Sequence, residues 1–470
     1  MHGQALPLDA TLIRLREAQS RDPQPSWHVR ADRLHRLARM LREQRGAFAR
    51  AIDADFGQRP VEETELLELF PALSAIRYAL RRGKRWMRPR RAPTGLAFLP
   101  GRNRLLPQPR GVVGIVVPWN YPLYLAVGPL VDALVAGNRV MVKMSEYTPR
   151  FSTLFAEQVA RSFADDEVVV VTGDAAVAQA FTALPFDYLL FTGSTAVGHQ
   201  VMRAASANLT PVTLELGGKS PAIVGPGADL AQAVERILVG KLVNAGQTCI
   251  APDYVLLPRA RVEDFVATAR EAAARLYPDL ARNRQYASLV SERHFARMVR
   301  LRDEAAAAGA HVQTLGTASE DPALRLFPPQ LLLDVPQDAA VMREEIFGPL
   351  LPLVAYDTLE QAIDYVAARP HPLALYLFER DRRVIERVLQ ATQAGGVTLN
   401  DTLYHIAQHG LPFGGVGASG MGGYHGRAGF DTFSHVKPVF AQSRWSGAGL
   451  LRPPYGPRFR RMLELLLRHG

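Results

Sequence analysis

Three residues in three separate segments have the types needed to act on a carbonyl carbon. The chain has a single cysteine, Cys249, at the end of Asn244-Ala245-Gly246-Gln247-Thr248-Cys249. The small residues before it would let a substrate approach closely, although a buried structural thiol fits the same pattern. A free thiol ionises at about pH 8.5, so a nucleophilic Cys249 needs a base or an electropositive setting. Glu215, in Leu214-Glu215-Leu216-Gly217-Gly218-Lys219, is a carboxylate among apolar residues. Such a setting raises a pKa and suits a general base; a capping or surface glutamate is the alternative. Asn120, in Pro118-Trp119-Asn120-Tyr121-Pro122, can donate its amide to a developing oxyanion or hold the turn that the two prolines suggest.

Two further segments suit a phosphate-bearing ligand. In Phe191-Thr192-Gly193-Ser194-Thr195-Ala196-Val197-Gly198 a β-like run turns into a helical one, where backbone N–H groups can face a phosphate. The segment lacks a full G-x-G-x-x-G fingerprint, and a plain turn capped by Ser194 would read the same way. Lys143 and Glu146 follow another β-like run. They form either a surface ion pair or a pair contacting ribose hydroxyls, in which Glu146 would repel a 2′-phosphate. His405 and His409 have the i, i+4 spacing of metal ligands, but with no third ligand nearby and Gly410 following, no metal is assigned.

These residues must be carried by regular elements. Residues 31–50 and 62–82 have apolar positions at helical spacing, after which Pro89, Pro93, Pro100, Pro107 and Pro109 mark a crossing segment. From Gly111, short β-rich runs (112–117, 139–142, 168–171 and 188–191) alternate with helical stretches, which predicts a parallel α/β sheet. A second alternating region, with strands at 222–224, 254–257, 351–354 and 374–377, predicts a second α/β domain.

The 470 residues exceed what one core supports, and 48% hydrophobic with 21% charged residues is a globular composition. The longest apolar runs are broken before the roughly 20 residues a bilayer span needs, so no integral membrane segment is expected. A basic amphipathic stretch at 459–467 leaves peripheral membrane contact open. The N-terminus lacks the apolar core of a secretory signal, and a lone cysteine excludes an internal disulfide; the expected compartment is the cytoplasm. Net charge is +10, with seven basic residues between Arg81 and Arg91, but no nucleic-acid-binding module accompanies them, and a solvated basic surface is expected.

Taken together and in order, these segments resemble the aldehyde dehydrogenase superfamily over most of the chain. The resemblance implies Cys249 as nucleophile, Glu215 as general base 34 residues before it, and Asn120 as oxyanion donor. It implies cofactor contacts from Trp119, Lys143, Glu146, Gly193, Ser194 and Gly198, and from Glu345 and Phe347 in Glu344-Glu345-Ile346-Phe347-Gly348-Pro349, a segment that by itself reads equally as a surface turn. The cofactor implied is NAD, with NADP open because Met144 stands where Lys-Pro-Ser-Glu is commoner. The run from Leu411 to Gly426 is similar to the class 3 branch, and Lys143-Met144-Ser145-Glu146 with Arg452-Pro453-Pro454-Tyr455-Gly456 is more like the coniferyl aldehyde dehydrogenases.

The expected architecture is a Rossmann-like cofactor domain (1–81 and 105–215), an α/β catalytic domain (216–405), and a bridging or oligomerisation element with the C-terminal segment (82–104 and 406–470). A homodimer is implied. The substrate pocket is expected from loops that include Tyr121, Leu125 and 401–410. Two alternatives remain at this stage: a coenzyme A-acylating enzyme, and a non-catalytic dinucleotide-binding structural protein.

Overall fold

A computed structural model describes residues 8–469; the first seven residues of the expected cofactor domain and Gly470 lie outside the described residues. Two parallel-rich sheets and one small antiparallel sheet carry the chain. The six-stranded sheet has the order Gly420–Met421, Val212–Glu215, Tyr188–Thr192, Val112–Val116, Arg139–Lys143, Val168–Val171. Its strands are parallel except the first, whose Gly420 lies opposite Glu215. The central strands are buried throughout, which explains their unbroken Val, Ile and Leu runs. Val112–Val116 has Arg139–Lys143 on one side and Tyr188–Thr192 on the other. The winding direction reverses there, and a crevice opens at the carboxyl ends of these strands.

The second sheet has seven strands, in the order His311–Thr314, Gln330–Leu333, Leu350–Tyr356, Tyr254–Pro258, Pro221–Val224, Ala374–Phe378, Gly396–Leu399, parallel but for the first. All eight expected strands are present within a few residues at each end. The strands at 212–215, 330–333 and 396–399 went unread, being four residues each with too little alternation to show a period of two. The proline-rich crossing segment is a sheet: Arg90–Ala92 and Ser434–Ala441 flank Arg102–Pro109.

Two helical expectations change in detail. Residues 31–50 lie in two helices, Trp27–Glu43 and Arg45–Phe56, which meet at Gln44. The stretch from 62 to 82 contains one turn of π-helix, Glu65–Leu69, before the helix Phe70–Trp86. That wider turn adds a residue to the helical path and turns Glu68 inward. The Glu68 carboxylate accepts from the N–H groups of Leu123 (2.7 Å) and Tyr124 (3.1 Å). It thus caps the positive end of the helix Tyr124–Ala136, every residue of which is buried. Among the described residues no helix is long and apolar enough to cross a membrane.

Candidate active site

A cleft of about 700 Å³ occupies the reversal point of the six-stranded sheet. Trp119, Lys143, Glu146, Gly193 and Ser194 line it, each just past or at the end of a strand. Lys143 and Glu146 do not form the surface ion pair that was open from sequence. The Lys143 ammonium is buried and donates to the carbonyls of Met144 (2.7 Å) and Gly173 (2.8 Å), while Glu146 is exposed. Ser194 does cap its helix, its hydroxyl accepting from Val197 N–H at 3.4 Å, and it lines the cleft as well. Gly198 lies one turn inside that helix. A Cβ there would sit 2.6 Å from Leu216, so Gly198 lets the helix approach the sheet closely.

Three residues of the other sheet's domain face the same cleft and went unread: Arg293, His294 and Arg297. They follow Ser291, which caps the helix Glu292–Ala307 and fixes the His294 ring through a 2.7 Å bond to Nδ1. His294 lies 4.8 Å from Trp119, ring to ring. Arg297 donates to the carbonyls of Glu345 (2.6 Å) and Ile346 (2.5 Å), and Asp253 accepts from Ile346 N–H (3.1 Å). The Glu345–Phe347 turn is thus held from both sides, with Phe347 at a left-handed φ of 55° and its ring 5.4 Å from Trp119. It is not the surface turn that the sequence left open. Gly217 admits the Glu345 carboxylate where any Cβ would collide with it. Oε1 of Glu345 and Oγ1 of Thr192 are buried without partners. Of these, Thr192 lines the cleft, while Glu345 lines a separate one beside Gly217 and Gly218; an orphaned hydroxyl and a shielded lysine in a cleft of this size fit a dinucleotide with its ribose hydroxyls.

Cys249 follows a tight turn in which Asn244 (φ 53°), Ala245 (φ 51°) and Gly246 (φ 77°) are all left-handed. Holding two non-glycine residues there costs about 1–3 kcal/mol each and needs an over-determined surrounding. Buried side chains supply it. Asn244 donates its backbone N–H to Glu63 (2.9 Å) and its amide to the Asn120 carbonyl (3.0 Å). Gln247 donates to the Asn244 carbonyl (2.9 Å) and accepts from Val290 N–H (2.9 Å). Gly246 passes so close to the Gly348 carbonyl that a Cβ would meet it at 2.4 Å, which ties the cysteine turn to the Glu345 turn. Beneath lies Arg59, fully buried, paired with Glu68 at 3.0 Å and donating to the Asn120 carbonyl at 3.0 Å. No local pattern marked Arg59, Glu63 or Glu68, whose partners lie far along the chain.

The expected catalytic residues meet here. The Asn120 amide donates to the Gln247 carbonyl at 3.1 Å, which spends one of its two N–H groups and leaves the other. Glu215 ends its strand fully shielded, with neither carboxylate oxygen partnered, so it is neither a cap nor a surface residue. Burial pushes its carboxyl well above the usual range. The half-buried Cys249 thiol is also pushed up, first by burial and then by Glu345 and Glu215, although the N–H groups of Cys249 and Ile250 oppose this. The setting is therefore not electropositive, and the resting thiol holds its proton. Tyr121 is buried and bonded to Thr248 at 2.7 Å, and Leu125 is buried one helical turn on. His405 and His409 lie in a looped segment, where His405 bonds Thr398 at 2.9 Å.

The model of the aldehyde dehydrogenase family matches residues 8–439. The chain belongs to that family. Membership makes it an α/β enzyme that oxidises aldehydes with NAD(P). A protein of Pseudomonas aeruginosa named probable coniferyl aldehyde dehydrogenase is 50% identical over 98% of this chain and 96% of its own length. The substrate-bound structure of a Staphylococcus aureus AldH superposes with a TM-score of 0.93 at 35% identity, covering 98% of this chain and all of that one. A Mycobacterium tuberculosis aldehyde dehydrogenase complexed with NAD+ does so with a TM-score of 0.84 at 31% identity, covering 93% of this chain and 91% of that one.

Proposed function

We propose that this aldehyde dehydrogenase oxidises an aromatic or long apolar aldehyde of the coniferyl kind to its carboxylate, through a thioester on Cys249. The observation that supports this is the bonded cluster joining Asn120, Asn244 and Gln247 to the Cys249 turn, with Glu215 unpartnered beside it. A relative named for coniferyl aldehyde supports the substrate class.

In this reading the Cys249 sulfur attacks the aldehyde carbon, and the free N–H of Asn120 with the Cys249 backbone N–H receives the oxyanion. Trp119, Lys143, Glu146, Gly193, Ser194, Gly198, Glu345 and Phe347 hold the dinucleotide. When bound, the oxidised dinucleotide brings a positive ring and accepts the hydride that leaves the carbon. Glu215, once ionised, is a strong base because nothing else stabilises its charge, and it takes a proton from the water that cleaves the thioester. A coenzyme A-acylating enzyme would have no use for a shielded carboxylate here, and a purely structural protein no use for a strained, fully bonded cysteine turn.

The proposed division has a cofactor part (8–81 and 105–215), a catalytic part (216–405) and a bridging part with the C-terminal segment. Homodimers in the cytoplasm complete the reading; the single free cysteine suits a reducing compartment. The test is absorbance at the reduced-nicotinamide band across an aldehyde panel. Cinnamyl-type and long-chain aldehydes are expected to give higher kcat/KM than acetaldehyde, since extra buried apolar surface adds binding energy. Cys249→Ser is expected to abolish turnover and keep NAD binding. Turnover that survives the substitution defeats the mechanism, and a flat panel defeats the substrate class.

A further inference from the structure

The basic run from Arg81 to Arg91 takes no part in the reaction centre. It begins in the last turns of the helix Phe70–Trp86, where Lys84 and Arg85 oppose the negative end of the helix dipole. That dipole amounts to about half a charge, far less than the seven cations supplied. Four of the seven are gathered in one place. Arg82, Arg85, Arg88 and Arg90 converge with Arg427, from the separate helix Gly426–Thr432, on one cleft of about 590 Å³.

Tyr78 and Trp86 wall this cleft. The Trp86 ring is nearly covered, 5.8 Å from the rings of both Tyr78 and Phe430, so the wall is rigid. Among the described residues, the side chains of Arg82, Arg85, Arg88 and Arg90 have neither an acidic partner nor a hydrogen bond. Arg427 gives its Nε to Asp431 at 2.7 Å, yet its Nη2 is buried without a partner. Gathered guanidinium groups repel one another, and an anion relieves that repulsion. Their planar forks match phosphate oxygens two at a time. The cleft has the volume of a small-molecule site and shares no lining residue with the cofactor cleft.

We propose that the cleft between Trp86 and Arg427 binds a small molecule bearing a pyrophosphate group. The group comes from free polyphosphate or from a nucleotide, and the two are separated by titrating the whole enzyme at low salt with inorganic pyrophosphate and with ADP. Two double variants decide where it binds. Arg85→Ala with Arg88→Ala removes two of the five arginines of the cleft, whereas Arg39→Ala with Arg42→Ala removes the same charge from an exposed helix face elsewhere. Both leave the cofactor cleft intact, so the difference between them reports the arginine cleft.

The expected result is saturable binding of pyrophosphate by the wild-type enzyme, weakened at least tenfold by the first pair and unchanged by the second. NAD affinity and turnover stay the same in both. If the component lost in the first pair is equally strong for ADP and pyrophosphate, the ligand is polyphosphate; if stronger for ADP, a nucleotide lying against Tyr78. No saturable binding, or equal weakening by both pairs, overturns the proposal. So does a smaller oligomer in sedimentation for the first pair, because the cleft would then be filled by a second copy of the chain.

Discussion

Cys249 is the only thiol, so its ionisation can be followed by alkylation without interference from another side chain. At neutral pH the enzyme without cofactor is expected to react slowly with iodoacetamide, because burial keeps the thiol protonated. Glu345, whose pKa burial lifts to about 8, acquires charge as pH rises through that value and then opposes thiolate formation further. Alkylation of the wild type should climb less than tenfold per pH unit above pH 8, and Glu345→Gln should restore the steeper rise. Identical profiles would remove Glu345 from the thiol's environment. Glu215→Gln keeps the shape and removes the proposed base. Steady-state turnover should fall about 10²–10⁴-fold, the usual contribution of a general base, while stopped-flow absorbance still shows an early burst of reduced cofactor. If the burst disappears with turnover, Glu215 also activates Cys249; if turnover is unchanged, it has no part in hydrolysis.

At the scale of elements, the site depends on a joint between helices that the π-turn makes possible. Glu68 reaches both Arg59 and the start of the helix Tyr124–Ala136, and Arg59 reaches Asn120. Arg59→Met leaves the Glu68 carboxylate buried without its cationic partner, held only by two backbone N–H groups; breaking a buried pair typically costs 3–5 kcal/mol, so we expect a loss of up to about that in urea unfolding. The double variant with Glu68→Gln should recover part of it, because no charge is then stranded. A single variant as stable as the wild type would show that the pair does not hold the joint. Arg59 also lies over the Tyr121 ring, at 4.9 Å, so the single variant should lower kcat through a loosened Asn120 as well as stability.

At the scale of the molecule, the cofactor cleft is closed by both halves of the chain. Glu146 and Lys143 come from the six-stranded sheet, and Arg293, His294 and Arg297 from the helix Glu292–Ala307. If Glu146 lies beside the ribose as proposed, its exposed carboxylate repels a 2′-phosphate, so kcat/KM should be higher with NAD than with NADP. Glu146→Gln should narrow that ratio. A preference for NADP in the wild type would mean that Arg293, across the cleft, outweighs Glu146.

Much of this was legible in order along the chain. The Val-rich strands between 112 and 192 declare themselves because both faces are buried, and their ends place Trp119, Lys143 and Gly193 at one edge. Cys249, Glu215 and Asn120 stood out as residue types in motifs. Their states did not, because protonation depends on what surrounds a group rather than on its neighbours in sequence. Only the folded chain covers Glu215 on every side, sets Glu345 against Cys249, and ties the Lys143 ammonium to two carbonyls. The same holds for Arg59 with Glu68 and for Arg427 with the arginines of 82–90, pairings between elements far apart in sequence. Local pattern determines which segments become strands and helices; burial and electrostatics, which act through space, decide which of their side chains can react.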